Sequence, residues 1–168
     1  RWGYFPSAAF AWKMNEESFI KNSANIQELK LRLGWGKTGQ QDITGIAGFY
    51  PSMPLFQVGA SNAQYFPGVY TYSAIAYNEN LKWETTTTFN AGVDFTLFKN
   101  LISGSMDVYD RKTTDLLAKV PMFPGQALSN EFVNNVGSMT NRGAEGNLTI
   151  TPIKGETWNW SVSGNIAY

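Results

Sequence analysis

Residues 84–98, ETTTTFNAGVDFTLF, alternate between two kinds of side chain, and a period of two is the signature of an extended strand whose two faces meet different surroundings. Thr87, Phe89, Ala91, Val93, Phe95 and Leu97 fall on one face, and Glu84, Thr86, Thr88, Asn90, Asp94 and Thr96 on the other. One side requires hydrocarbon and the other hydrogen-bond partners. Three environments satisfy this: a sheet with one face in water, a sandwich with an unusual polar core, or a membrane barrel with lipid outside and water within.

Five further segments keep the same period, at 7–14, 27–36, 102–112, 142–151 and 158–168. Leu29, Leu31, Leu33 and Trp35 alternate with Lys30, Arg32, Gly34 and Gly36, and Met106 and Val108 with Asp107, Tyr109 and Arg111. Leu148 and Ile150 alternate with Glu145, Asn147 and Thr149. A helical period lasts no more than a turn or two, near 15–21, so the chain reads as all-β. The connections alternate in length. Short ones are expected near 15–26, 98–101 and 152–157, and long ones near 38–82 and 113–141, which in a meander puts brief turns at one end and large loops at the other. Outer-membrane barrels are built this way, with short periplasmic turns and long extracellular loops.

The strands at 84–98 and 102–112 share a face only if their connection has an even length, as a turn at 99–100 or at 98–101 does. The register also bears on Asp94 and Asp107, which would resemble a glycosidase pair if set opposite each other. Like charges directly opposite are destabilising, so that arrangement is expected only with a cation between them.

Composition narrows the choice. Thirteen Lys and Arg balance thirteen Asp and Glu, which removes the concentrated positive surface that nucleic acid requires. With no Cys and no His, thiolate metal sites, thiol nucleophiles and the commonest general base are absent. No catalytic, cofactor or metal site is therefore expected. No apolar run reaches the ~18 residues of a transmembrane helix, and the first residues do not form a signal peptide. The alternation runs to the last residue, as in a piece of a larger protein.

Small residues recur on the apolar face (Ala8, Ala91, Gly104, Ala144, Gly146, Gly164), where lipid tolerates them but a packed core would be left with cavities. Trp12, Trp35, Trp83, Trp158 and Trp160 lie near strand ends, as interface aromatics do in membrane girdles. Residues 43–78 carry no charge but hold eight Phe and Tyr side chains. Those rings either pack the loop onto its neighbours or form a recognition surface for sugar rings or a partner, with Tyr50, Phe56, Tyr65, Phe66, Tyr70 and Tyr72 as candidates.

The stretches LKLRLGWGKTGQQ (29–41), YNENLKWETTTTFNAGVDFTLFKNLISGSMDVYDRKTTDLL (77–117) and NNVGSMTNRGAEGNLTITPI (134–153), with GYFPSAAFAWKM (3–14), closely resemble the barrel region of SusC/RagA-type TonB-linked outer-membrane proteins. The resemblance weakens only in 42–76. It implies an antiparallel up-and-down meander within a plugged transmembrane β-barrel of about twenty-two strands. It also implies uptake of oligosaccharides or peptides in Bacteroidetes-type bacteria, a SusD-like surface lipoprotein as partner, and coupling to TonB through an N-terminal part outside this sequence. Lys30, Arg32, Asn90, Asp94, Asp107, Arg111 and Glu145 would then face the lumen, and the opposite face outer-membrane lipid. Six strands cannot close such a barrel, so this stretch alone should not transport. The rival readings are a soluble carbohydrate-binding β-sandwich, a glycoside hydrolase and a passive porin.

Overall fold

The computed structural model describes residues 2–59, 61–62, 64–123, 129–155 and 157–168. The expected long loops at 38–82 and 113–141 and the turn at 152–157 thus fall partly outside the described residues. Twelve strands follow in order: β1 Ser7–Lys13, β2 Ile26–Gln40, β3 Leu55–Val58, β4 Gln64–Phe66, β5 Val69–Tyr70, β6 Tyr72–Ile75, β7 Glu84–Leu97, β8 Ile102–Thr114, β9 Leu117–Pro121, β10 Glu131–Asn135, β11 Ser138–Lys154 and β12 Asn159–Ala167. Among the described residues helix is confined to a 3-10 turn at Met14–Glu16 and one α-turn, α1, at Thr44–Ala47.

The six expected strands form one antiparallel-type meander in the order β1-β2-β7-β8-β11-β12, an open sheet with β1 and β12 at its edges. Its period-two patterning is realised in the pairing. Across β1 and β2, Ala8, Phe10 and Trp12 lie opposite Trp35, Leu33 and Leu31 on one face, while Ala9, Ala11 and Lys13 lie opposite Gly34, Arg32 and Lys30 on the other. Across β11 and β12, Leu148 meets Gly164 and Gly146 meets Ile166, so each large side chain faces a gap. A bulge between Ile150 and Ile153 inserts one residue around Pro152. The extra residue shifts parity and brings Ile153 opposite Trp160, keeping both on the apolar side, and it places proline where no ladder hydrogen bond is required.

The short connections gather at one end of this sheet. The β7–β8 connection is the four-residue form, residues 98–101, and Phe98, Lys99 and Asn100 all adopt left-handed φ of 54°, 55° and 64°. Such a conformation costs roughly 1–2 kcal/mol for most residues. Hydrogen bonds offset it: the Phe98 amide donates to the Asn25 carbonyl at 2.7 Å, and the Lys99 amide to Gln27 Oε1 at 2.9 Å. The Thr151 amide, beside the third short turn, donates to the Leu101 carbonyl at 2.8 Å.

The chain divides into two compact units, residues 1–38, 86–112 and 140–168, and residues 39–85 and 113–139. The second holds the long connections, and they carry short strands that the sequence reading did not assign. β3 pairs with β6 around a smaller β4–β5 hairpin, and β9 pairs with β10. These strands are two to five residues long and lack sustained alternation, which is why the period did not expose them.

Among the described residues one hydrophobic side chain is buried, Leu81 at 5% exposure, and it lies outside the six-stranded sheet. Phe10, Trp35, Phe89, Met106, Leu148 and Ile166 stand exposed along one face. A sandwich would bury these side chains against a second sheet; among the described residues they stay exposed.

Candidate functional site

The polar face of the sheet is organised by Arg32. Its Nε and Nη2 each donate to Asp94 at 2.8 Å, a bidentate fork on the adjacent strand, and Nη2 also reaches Asp107 on β8, at 2.9 and 3.1 Å from its two oxygens. β2 and β8 are two strand spacings apart, about 10 Å, so the guanidinium must cross over β7. Gly92 makes that crossing: a Cβ built there would lie 2.9 Å from Arg32 Nη2 and would clash with the Asp107 carboxylate. Gly34 does the same for Asn90, whose side-chain amide occupies the space where a Cβ would stand. Asp107 lies over Gly92 rather than directly opposite Asp94, and Arg32 is the cation that joins the two carboxylates. One base bridges both acids and leaves the trio a net charge of −1, an arrangement suited to bracing neighbouring strands.

Ser105 and Asn147 extend the network, with Asn147 Nδ2 donating to Ser105 Oγ at 2.7 Å and the Ser105 amide to Asn147 Oδ1 at 3.1 Å. Asp107, Glu145, Asn147 and Asn165 border a cleft of about 250 Å³ that Ile166 and Ala167 also line. Of the seven residues expected to line a lumen, the structure joins Arg32, Asp94 and Asp107 directly, adds Glu145 through the cleft, and sets Asn90 over Gly34. Lys30 lies opposite Lys13 in the β1–β2 register, and Arg111 continues the Asp107 side of β8. Neither belongs to an ion pair among the described residues.

On the apolar side, Trp12, Trp35 and Trp160 lie within strands, and Trp12 Nε1 donates to Glu17 Oε1 at 2.9 Å. Trp83 and Trp158 each sit one residue before a strand begins.

In the second unit the six candidate rings stay open, from Tyr70 at 45% exposure to Tyr65 at 74%, with Tyr65 and Phe66 edge to face at 4.6 Å. Each of the six is accessible among the described residues. Asparagines hold the unit. Asn135 accepts from the Lys82 amide at 2.8 Å and donates Nδ2 to the carbonyls of Lys82 and Asp115 at 2.9 and 2.7 Å. Asn78 Nδ2 donates to Asn134 Oδ1 at 3.0 Å, and the Leu117 amide to Glu84 Oε1 at 2.8 Å. The sequence reading missed these residues, although they lie in the quoted motifs YNENLKWE and NNVG. It also missed a cleft of about 410 Å³ bordered by Gln57, Ile75, Lys119, Glu131 and Phe132, with Lys119 and Glu131 paired at 3.0 Å. At the start of the unit, hydrogen bonds from the Thr44 hydroxyl and amide hold the Asp42 carboxyl below its ordinary value.

Comparison with known proteins agrees with this geometry. The family model described as TonB dependent receptor-like, beta-barrel, matches residues 1–168. TonB-dependent receptor SusC of Bacteroides thetaiotaomicron is 44% identical over 171 residues, covering 100% of this chain and 17% of its own length. A TonB-dependent receptor of Formosa agariphila is 35% identical over 99% of the chain and 15% of its own length. Among solved structures, a RagAB peptide importer in a closed-closed state superposes with a TM-score of 0.82 at 31% identity, over 99% of this chain and 17% of that one. The chain thus spans about one sixth of the length of the relatives it matches. An open six-stranded meander with one polar and one apolar face, matched over its whole length, belongs to the β-barrel of the TonB-dependent receptor family, of the SusC/RagA type.

Proposed function

We propose that this chain is wall of an outer-membrane transporter that imports oligosaccharides or peptides, working with a SusD-like lipoprotein and drawing energy through TonB. The observation that carries the reading is a two-faced sheet without a core: exposed apolar side chains on one side, a braced ionic network on the other. In this reading the short turns are periplasmic, the long loops extracellular, and Arg32, Asp94 and Asp107 face the lumen or its plug. The exposed rings of the loop unit and the cleft beside Phe132 are the recognition surface. The role is non-catalytic, because Arg32 occupies both carboxylates that could have formed an acid/base pair.

Uptake by cells lacking the full-length gene tests this. Restoring the gene should restore uptake of an oligosaccharide or peptide, and restoring it without its TonB-binding segment should not. Equal uptake in both would identify a passive porin.

A further inference from the structure

Above the apolar band, the outward face of the sheet changes character. Parity puts Lys37 of β2 on the same face as Trp35, and Lys112 and Asp110 of β8 on the same face as Val108. Arg142 of β11 joins them, with its Nε 2.6 Å from Asp110 Oδ2. The contacts also fix the level. Thr38 Oγ1 donates to the Thr86 carbonyl, which sets Lys37 beside Thr87, and the Asp107 carboxylate lies over Gly92, which by antiparallel stepping sets Lys112 beside Thr87 from the other side. Lys37 and Lys112 thus flank Thr87 at one level, and Arg142, beside Asp110, stands two residues nearer the apolar band, three cations against a single carboxylate. Lys112 and Arg142 are exposed, and neither Lys37 nor Lys112 forms an ion pair among the described residues.

A second feature lies below them on the same face. An almost wholly apolar groove of about 460 Å³ runs over Gly146 and Gly164, between Met106, Leu148, Val162 and Ile166. Nothing within 4 Å would meet a Cβ at Gly164, so the groove floor is open. Gly146 is four residues along β11 from Arg142, roughly 13 Å at ~3.3 Å per residue. At a ~45° tilt this is about 9 Å of depth, within the ~15 Å half-thickness of a hydrocarbon core.

We infer that this face holds one phosphate-bearing lipid, its headgroup on Lys37, Lys112 and Arg142 and an acyl chain in the groove over Gly146 and Gly164. The inference rests on the reading of the sheet as a membrane wall. Charge selects the headgroup: net +2 from three cations and Asp110 favours a phosphate over a neutral head. Asp110 keeps Arg142 extended along the face while leaving its remaining donors for phosphate oxygens. The groove selects a chain, because a floor of glycines removes the side chains that would fill it.

The test uses the full-length barrel containing this segment, equilibrated with equal amounts of dimyristoyl phosphatidic acid and dimyristoylglycerol, which differ only in the phosphate, and native mass spectrometry of the retained lipid. The wild-type barrel should retain the phosphatidic acid preferentially, with about a fivefold loss of preference for each cation removed. Lys37→Gln with Lys112→Gln and Arg142→Gln should abolish the preference, and Lys154→Gln, which removes a charge elsewhere, should keep it. Gly164→Leu should lower retention of both lipids by filling the groove, and heat-modifiable migration verifies that each variant is folded. Equal retention of the two lipids by wild type, a preserved preference in the triple variant, or displacement of the lipid by excess inorganic phosphate would each overturn the inference. Failure of the underlying membrane reading is distinguishable, since the folded barrel would then retain neither lipid.

Discussion

Arg32 reaches two strands away because Gly92 has no side chain, and that single absence joins three strands through one guanidinium. Removing the cation leaves the neighbouring carboxylates of Asp94 and Asp107 uncompensated. Because the three side chains are each about one-third exposed, Arg32→Gln should cost about 1–2 kcal/mol, well below the cost of breaking a fully buried pair. Gly92→Ala should cost a similar amount by displacing the Asp107 carboxylate, and the two changes together should cost less than their sum, because both break one contact. Urea unfolding of the full-length barrel from lipid vesicles measures all three. At Asp42 the folded pKa lies below the unfolded value of about 3.9, so the turn it makes with Thr44 contributes fully above that value and loses its contribution as pH falls through the lower folded one. Thr44→Val should move the Asp42 titration, followed by NMR, back up toward the ordinary carboxyl range.

At the scale of elements, the six wall strands were legible because each surface they meet imposes one simple alternation. The sequence reading cut three of them short: β2 continues to Gln40, β8 to Thr114, and β11 runs from Ser138 to Lys154, beyond the segments where parity is clean. The β11 bulge was hidden for a related reason, since one inserted residue at Pro152 makes Ile150 and Ile153 read as a broken pattern although the bulge retains both on the apolar side. The loop unit was not legible. Its stabilising contacts join residues such as Lys82 and Asn135, 53 positions apart, through side-chain amides that no periodicity reports. Those contacts carry a prediction: Leu81→Ala should destabilise the unit by about 2–3 kcal/mol through the cavity left at the one buried hydrophobic site. Asn135→Ala should do so by about 1 kcal/mol, because it removes the hydrogen bonds to the Lys82 and Asp115 carbonyls. Limited proteolysis within 113–139 should accelerate in both, with the wall strands still protected.

For the whole molecule, the sheet has a sidedness but no interior of its own, and its stability depends on what each face meets. The ionic candidates share the polar face as the alternation required, yet only Arg32, Asp94 and Asp107 interlock; Lys30 and Arg111 share parity without sharing a contact, which alternation alone does not reveal. Val93→Arg or Leu148→Arg should cost roughly 2–4 kcal/mol if the apolar face crosses the bilayer near its midplane, against almost nothing on a face merely wet by solvent. The most direct measurement of the central claim is the oxygen accessibility of spin labels in the full-length barrel in lipid. Labels at Phe89, Val93 and Leu148 should be reached by oxygen dissolved in the bilayer, and labels at Asn90 and Asp94 should be shielded from it. Equal accessibility of the two sets would contradict the assignment of this face to lipid.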